Sequence, residues 1–392
     1  MKRVYFDNNA TSPVDREVLD AMLPFFTEDF GNASSIHSYG QRTRGAVEKA
    51  RQQVAALLGA RPQDMVFTSG GTESDNLAIA GIVGADTGAK KHVITTQIEH
   101  SAVRNTCQAL EEQGVAVTYL PVSRQGVVDP ADVRKALRPE TLLISVMFAN
   151  NELGTVQPVE EIGRIAAEAD VYFHTDAVQA AGKVPIDVQR IGADAAAISG
   201  HKFHAPKGVG AAFVRGGTLL RPLMRGGRHE RDRRPGTENV AGIVALGKAA
   251  ELARERLAAG HGARLAALRD RFERELVARV PQSRINAAHS PRTPNTANIT
   301  FQHLEGEALV IALDLKGLAC STGAACSSGA VAPSPVLTAI GLPPEEARAS
   351  LRFSLGHWAT DADVDFALAV IPEAVAHLRE LSPRYKKAVP VG

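Results

Sequence analysis

Between residue 40 and about residue 215 the chain alternates short apolar runs with amphipathic ones, and few folds accept that pattern. The runs 65–68, 93–96, 115–120, 142–148, 172–175, 195–199 and 209–214 have the length and composition of strands. Helical spacing fills the gaps, with Val47, Ala50, Val54, Leu57 and Leu58 leading up to Gly59, and further helical stretches at 101–113, 130–138 and 158–169. Such alternation predicts an α/β fold, a mostly parallel sheet covered on both faces with ligands bound beyond the carboxyl ends of its strands. After about residue 240 the pattern changes. Two long helices, 239–259 and 263–280, are split by Gly260-His-Gly262. A strand at 295–301, a helix at 305–315, a Gly/Ser/Cys loop, a strand at 351–355 and a helix at 361–379 follow. A chain of 392 residues is too long for one core. We expect a large α/β domain over 16–255, and a smaller α+β domain built from 1–15 plus 256–392 that carries the Cys loop.

Charge excludes some functions. With 44 basic and 43 acidic residues the formal net charge is +1, which offers no attraction to nucleic acid or to a membrane surface. No apolar run approaches the roughly 18 residues of a membrane span, and the N-terminus turns polar at once. Three cysteines, Cys107, Cys320 and Cys326, make no disulfide framework and suit a reducing compartment, so a cytoplasmic protein is expected. The spacing Cys-x5-Cys is not a metal signature, and no metal is expected.

The expected strand ends carry polar groups of a particular kind. Ser199-Gly-His-Lys202-Phe-His-Ala-Pro-Lys207-Gly208 sits between two apolar strands, so Lys202 lies on a polar loop bounded by core. A lysine held this way can serve as an amine nucleophile toward carbonyls and pyridoxal phosphate. Phe67-Thr-Ser-Gly-Gly71-Thr72 runs from strand through glycines to helix, which makes either a tight turn or an anion site. Asp176 ends an apolar strand, where it either N-caps a helix that follows or meets a cation such as a protonated pyridine nitrogen. Gln179, one turn on, faces the same side. His100 is either a helix cap or an aromatic lid and proton carrier. Asn150-Asn151 is explained by turn chemistry, yet its side chains reach the same rim. Arg352, inside an apolar strand, needs an anion, either a substrate carboxylate or a structural partner. Cys326, in a loop of small residues, suits a reactive thiol, whereas Cys107 suits core and Cys320 a tethered, partly buried position.

Together these motifs resemble the cysteine desulfurases of the NifS/IscS type, fold-type I pyridoxal phosphate (PLP) enzymes of the class V aminotransferase group. The resemblance runs nearly end to end, through Tyr5-Phe-Asp-Asn-Asn-Ala-Thr11, Phe67 to Asn76, Glu99-His100, Asn150 to Gly154, His174 to Gln179, Ser199 to Lys202, Pro235-Gly-Thr-Glu-Asn239 and Arg352 to Gly356. It implies a fold-type I PLP-dependent transferase that converts L-cysteine to L-alanine. Lys202 would hold PLP and move the Cα proton, Asp176 would pair with the pyridine nitrogen and Gln179 with the ring oxygen. His100 would stack on the ring and shuttle protons. Gly71, Thr72, Ser199 and His201 would bind the phosphate, with Thr237 from the other subunit of a homodimer. Asn151 and Arg352 would hold the substrate carboxylate, and Cys326 would take the sulfur as a persulfide for an iron–sulfur scaffold or another acceptor protein. The segments 203–210 and 225–231 look closer to the nitrogen-fixation branch. A selenocysteine lyase or another class V PLP enzyme is the alternative. Two departures stand out: Ser328-Gly-Ala-Val-Ala-Pro-Ser where the family usually has Leu-Glu-Pro-Ser, and a thiol, Cys320, where it usually has a small apolar residue.

Overall fold

A computed structural model describes residues 2–88, 91–322, 333–381 and 385. Its strands, in chain order, are β1 (Val4–Tyr5), β2 (Met65–Thr68), β3 (His92–Thr96), β4 (Ala116–Leu120), β5 (Thr141–Ser145), β6 (Tyr172–Asp176), β7 (Ala195–Ser199), β8 (Gly210–Val214), β9 (Ser283–Ile285), β10 (Thr296–Phe301), β11 (Leu318–Ala319) and β12 (Ser350–Ser354). Seven of them form one sheet in the order β2-β8-β7-β6-β5-β3-β4. Only β8 runs antiparallel to its neighbours, so the sheet is mostly parallel, as the alternation predicts. Strands buried on both faces read as continuous apolar runs. β7, Ala-Ala-Ala-Ile-Ser, is fully buried, and its small side chains leave room for helix Gly71–Ala85 to lie across it.

The chain goes from β3 outward to β4 and then returns to the other side of β3 to build β5, β6 and β7. Order reversal opens a crevice at the carboxyl ends of the strands. Loops after β2, β3, β5, β6 and β7 all enter that crevice.

A second apolar core has its own sheet, β12-β10-β9, antiparallel throughout, with helices His261–Arg279 and Asp361–Leu381 packed against it. Val4 and Phe6 belong to this core, and β1 pairs in parallel with β11, Val4 opposite Leu318. The two long helices of this region begin and end differently from expectation. Gly260 alone, with φ 75°, makes the break, and the second helix starts at His261 rather than 263. The expected strand 142–148 stops at Ser145, yet Val146 N and Phe148 N still donate to the carbonyls of His174 and Asp176 while the backbone turns toward Asn150.

Candidate active site

A cleft of about 590 Å³ lies at the carboxyl ends of the large sheet. Its lining includes Gly71, Thr72, His100, Asn151, Asp176, Gln179, Ser199, His201, Lys202 and Arg352. Thr237 is exposed and does not line it, and Cys326 lies outside the described residues.

Lys202 closes a short turn, Gly200–Lys202, between β7 and β8. Its Nζ donates to the carbonyls of Asn9 at 2.8 Å and Ala10 at 2.7 Å. The turn is possible because Gly210, opposite Ser199 in the register, lets the Gly70 backbone approach; a Cβ there would meet Gly70 Cα at 2.6 Å. Helix Gly71–Ala85 then points its first N–H groups into the cleft with no side-chain cap. Ser199, His201 and Lys207 face the same end of the cleft. A Cβ on Gly71 would meet Val178 Cγ2 at 2.6 Å, so glycine is required where the helix passes the β6 turn.

Asp176 caps a turn rather than the expected helix, His100 caps its helix, and both line the cleft. Asp176 Oδ1 accepts from Val178 N at 2.9 Å, which caps the turn, and the carboxyl group still lines the cleft. His100 Nδ1 accepts from Ala102 N at 3.1 Å, which caps helix Ser101–Glu112, and its ring lines the cleft too. Asn150 is a turn residue, its Oδ1 accepting from the N–H groups of Glu152 and Leu153, and it delivers Asn151 to the rim. Arg352 has a protein partner: Nη2 donates to Asp7 Oδ1 at 2.8 Å and Nη1 to the Asn151 carbonyl at 3.0 Å.

Three residues that the motif reading left without a role organise the site. Asn9 is bonded on every side. Its carbonyl accepts from Lys202 Nζ and Gln179 Nε2, its Oδ1 from Lys183 Nζ and Asn295 Nδ2, and its Nδ2 donates to the Asn151 carbonyl and Thr296 Oγ1. Lys183, one turn past Gln179, also donates to Gln179 Oε1 at 2.5 Å. Burial, helped by Lys202 and Arg352, pushes its pKa well down. Glu99 is buried beside His100, with Oε1 accepting from Thr96 Oγ1 and Met147 N while Oε2 has no partner. Spacing signals two of these, since Lys183 follows Gln179 by four residues and Glu99 adjoins His100. Nothing in the local pattern marks Asn9, whose side-chain partners lie up to 287 residues away.

The electrostatics beneath the cleft are one-sided. Burial raises the carboxyls of Asp75, Asp176 and Glu99, Glu99 to about 8. His174 falls to about 3 from burial, so no cation is available there from the imidazole. A carboxyl that is neutral in the fold and ionised in the unfolded chain costs stability as pH rises from its ordinary value toward its folded one. Glu99→Gln is therefore expected to gain stability relative to wild type between pH 5 and pH 8. Thermal melts of cofactor-free protein check this, and a gap that does not change with pH would mean that Glu99 is ionised in the fold.

PLP, the group that the sequence implies, fits these features. The uncapped helix terminus with Ser199 and His201 suits a phosphate, the buried carboxyls suit a ring cation, and Lys202 Nζ reaches the cleft between them. The volume is that of a cofactor site.

The comparisons with known proteins agree with this geometry. Residues 4–366 match the family "Aminotransferase class-V". A cysteine desulfurase IscS from Methanosarcina thermophila is 52% identical over 382 residues, covering 97% of this chain and 94% of that protein. Among solved structures, a NifS-like protein superposes with a TM-score of 0.89 at 38% identity, over 96% of this chain and all of the other. SspA in complex with cysteine gives 0.80 at 37%, over 92% and 100%. With a family match over most of its length and a relative identical at half of the aligned positions, the chain belongs to the aminotransferase class-V family.

Proposed function

We propose that this protein is a PLP-dependent cysteine desulfurase, converting L-cysteine to L-alanine and passing the sulfur through a persulfide on Cys326 to acceptor proteins. The observation that carries the reading is the convergence of Lys202, Asp176, His100 and Arg352 on one cleft. When bound, PLP supplies an electron sink for the bond changes at the substrate Cα. Lys202 would hold the cofactor through Nζ and move the Cα proton, and its two carbonyl acceptors orient that nitrogen beforehand. Asp176 holds a proton on the pyridine nitrogen, and Gln179, set by Lys183 and Asn9, faces the ring oxygen. His100 covers the ring. Gly71, Thr72, Ser199 and His201 take the phosphate, with Thr237 supplied by a second subunit. Asn151 and Arg352 take the substrate carboxylate. The Cys326 thiolate attacks the substrate sulfur. An S–S bond forms as the Cβ–S bond breaks, the electron pair stays with Cβ, and a proton completes alanine.

Two apolar cores, one drawn from 18–253 and one from Val4, Phe6 and 265–375, favour the division into a cofactor-binding domain over 16–255 and a smaller domain of 1–15 with 256–392. No described helix is long and apolar enough to cross a membrane, in keeping with a cytoplasmic homodimer serving iron–sulfur assembly. The segments 203–210 and 225–231 favour a role in nitrogen fixation.

The test is purified protein, PLP and L-cysteine, with alanine and sulfide measured in equal amounts. A PLP-loaded protein that forms no alanine from cysteine, or forms it only from selenocysteine, overturns the assignment. Arg352→Lys is expected to raise KM for cysteine sharply, because a point charge cannot replace the planar fork. Steady-state kinetics check it, and an unchanged KM with a lowered melting temperature would leave Arg352 as a structural partner of Asp7.

A further inference from the structure

Arg352 comes to the cleft already engaged. Nη2 and Nη1 have the acceptors given above, whereas Nε is buried and has none among the described residues. Backbone bonds hold Asp7 beside it. Asn8 N donates to the Ser354 carbonyl at 3.1 Å and Ser354 N to the Phe6 carbonyl at 2.6 Å, which lays the N-terminal segment along β12. Further along the same edge of β12, Arg352 N donates to the Ser321 carbonyl at 2.6 Å. These bonds fix the Asp7 backbone beside the guanidinium.

The pair differs from the other buried arginine pairs in this chain. Arg51 with Glu230, and Arg292 with Glu273, are joined by two hydrogen bonds each, both carboxylate oxygens engaged. Such forks use the arginine fully. Asp7 uses one oxygen and one nitrogen. The Arg352 side chain is 3% exposed and needs an anion before any ligand arrives, while Asp7, at 18%, meets that need from the more open side. An arriving carboxylate finds a guanidinium whose charge is matched and a like charge beside it.

We propose that Asp7 is a positioning residue that holds Arg352 by Nη2, leaves Nε for the ligand carboxylate and weakens that carboxylate's grip by like-charge repulsion. The inference rests on reading Arg352 as the carboxylate anchor. Its use is in turnover. Cysteine and alanine carry the same carboxylate, so binding it more tightly would stabilise substrate and product alike and slow product exchange without helping the chemistry.

The probe is 3-mercaptopropionate, which has the carboxylate and thiol of cysteine but no amine to react with the cofactor. Its binding to PLP-loaded wild type, Asp7→Asn and Arg352→Lys is measured by calorimetry, so the readout is affinity rather than turnover. We expect Arg352→Lys to weaken binding and Asp7→Asn to tighten it, on the order of tenfold. If Arg352→Lys weakens binding but Asp7→Asn leaves it unchanged or weaker, the inference fails and the anchor stands. If Arg352→Lys binds like wild type, the anchor and the inference fail together. Asp7→Ser carries the same test should Asp7→Asn not fold, and failure of both to fold would make Asp7 a structural brace and overturn the proposal.

Discussion

Lys202→Ala is expected to abolish formation of alanine from cysteine, a loss of at least about a thousandfold. The substitution removes both the amine that holds the cofactor and the base that moves the Cα proton. Lys183 is committed to Asn9 Oδ1 and Gln179 Oε1 and is half-buried. Lys207 lines the same cleft and is the serious rival. Truncation also leaves the Asn9 and Ala10 carbonyls without this donor, which costs about 1–3 kcal/mol of stability. Melting temperature therefore accompanies the assay, so that lost chemistry is told from lost fold. Borohydride reduction of the wild-type enzyme followed by peptide mapping decides the assignment: the label belongs on Lys202, and a label on Lys207 or Lys183 would sink it.

Cys326→Ala is expected to stop sulfide release from cysteine while cysteine still alters the cofactor's absorption. The other two thiols argue for this by their surroundings. Cys107 is buried in the helix Ser101–Glu112, and burial pushes its thiol up to about 12. Cys320, only six residues before Cys326, is buried in the second core at the end of β11, and burial with the nearby Asp7 charge pushes its thiol up as well. The thiolate is the nucleophile, so both are poor acceptors of sulfur at neutral pH. Mass spectrometry after a cysteine pulse and a short quench should find about 32 Da, one sulfur, on the Cys326 peptide. The same addition on the Cys320 peptide with Cys326 unmodified would overturn the assignment.

Much of this site was legible in the chain because its parts are local motifs at strand ends. The apolar runs located β2 to β8, and glycine and polar residues at strand ends marked where the crevice would be. Asp176, His100 and Arg352 each bond a neighbour, as one of their paired readings has it, and each also lines the cleft. What the pattern hid was long-range. Asn9 sits in a motif whose composition predicts a turn, and its importance appears only when Lys183, Lys202, Asn295 and Thr296 close around it. Asp75 and His174 lie 99 positions apart and meet at 3.5 Å beneath the cleft, which no local spacing announces.

The first ten residues have a consequence for the timing of biogenesis. β1 pairs with β11, Asp7 meets Arg352 on β12, and Asn9 anchors Lys202. A segment made before the large sheet thus depends on partners made after it. The large sheet can complete its pairings once residue 214 has emerged, but the N-terminal segment stays without its seat until β12 has emerged too, and Lys202 lacks its fixed carbonyls until then. Cofactor capture by the finished site is accordingly a late event, one that a stalled or C-terminally truncated chain ending before residue 350 could not reach.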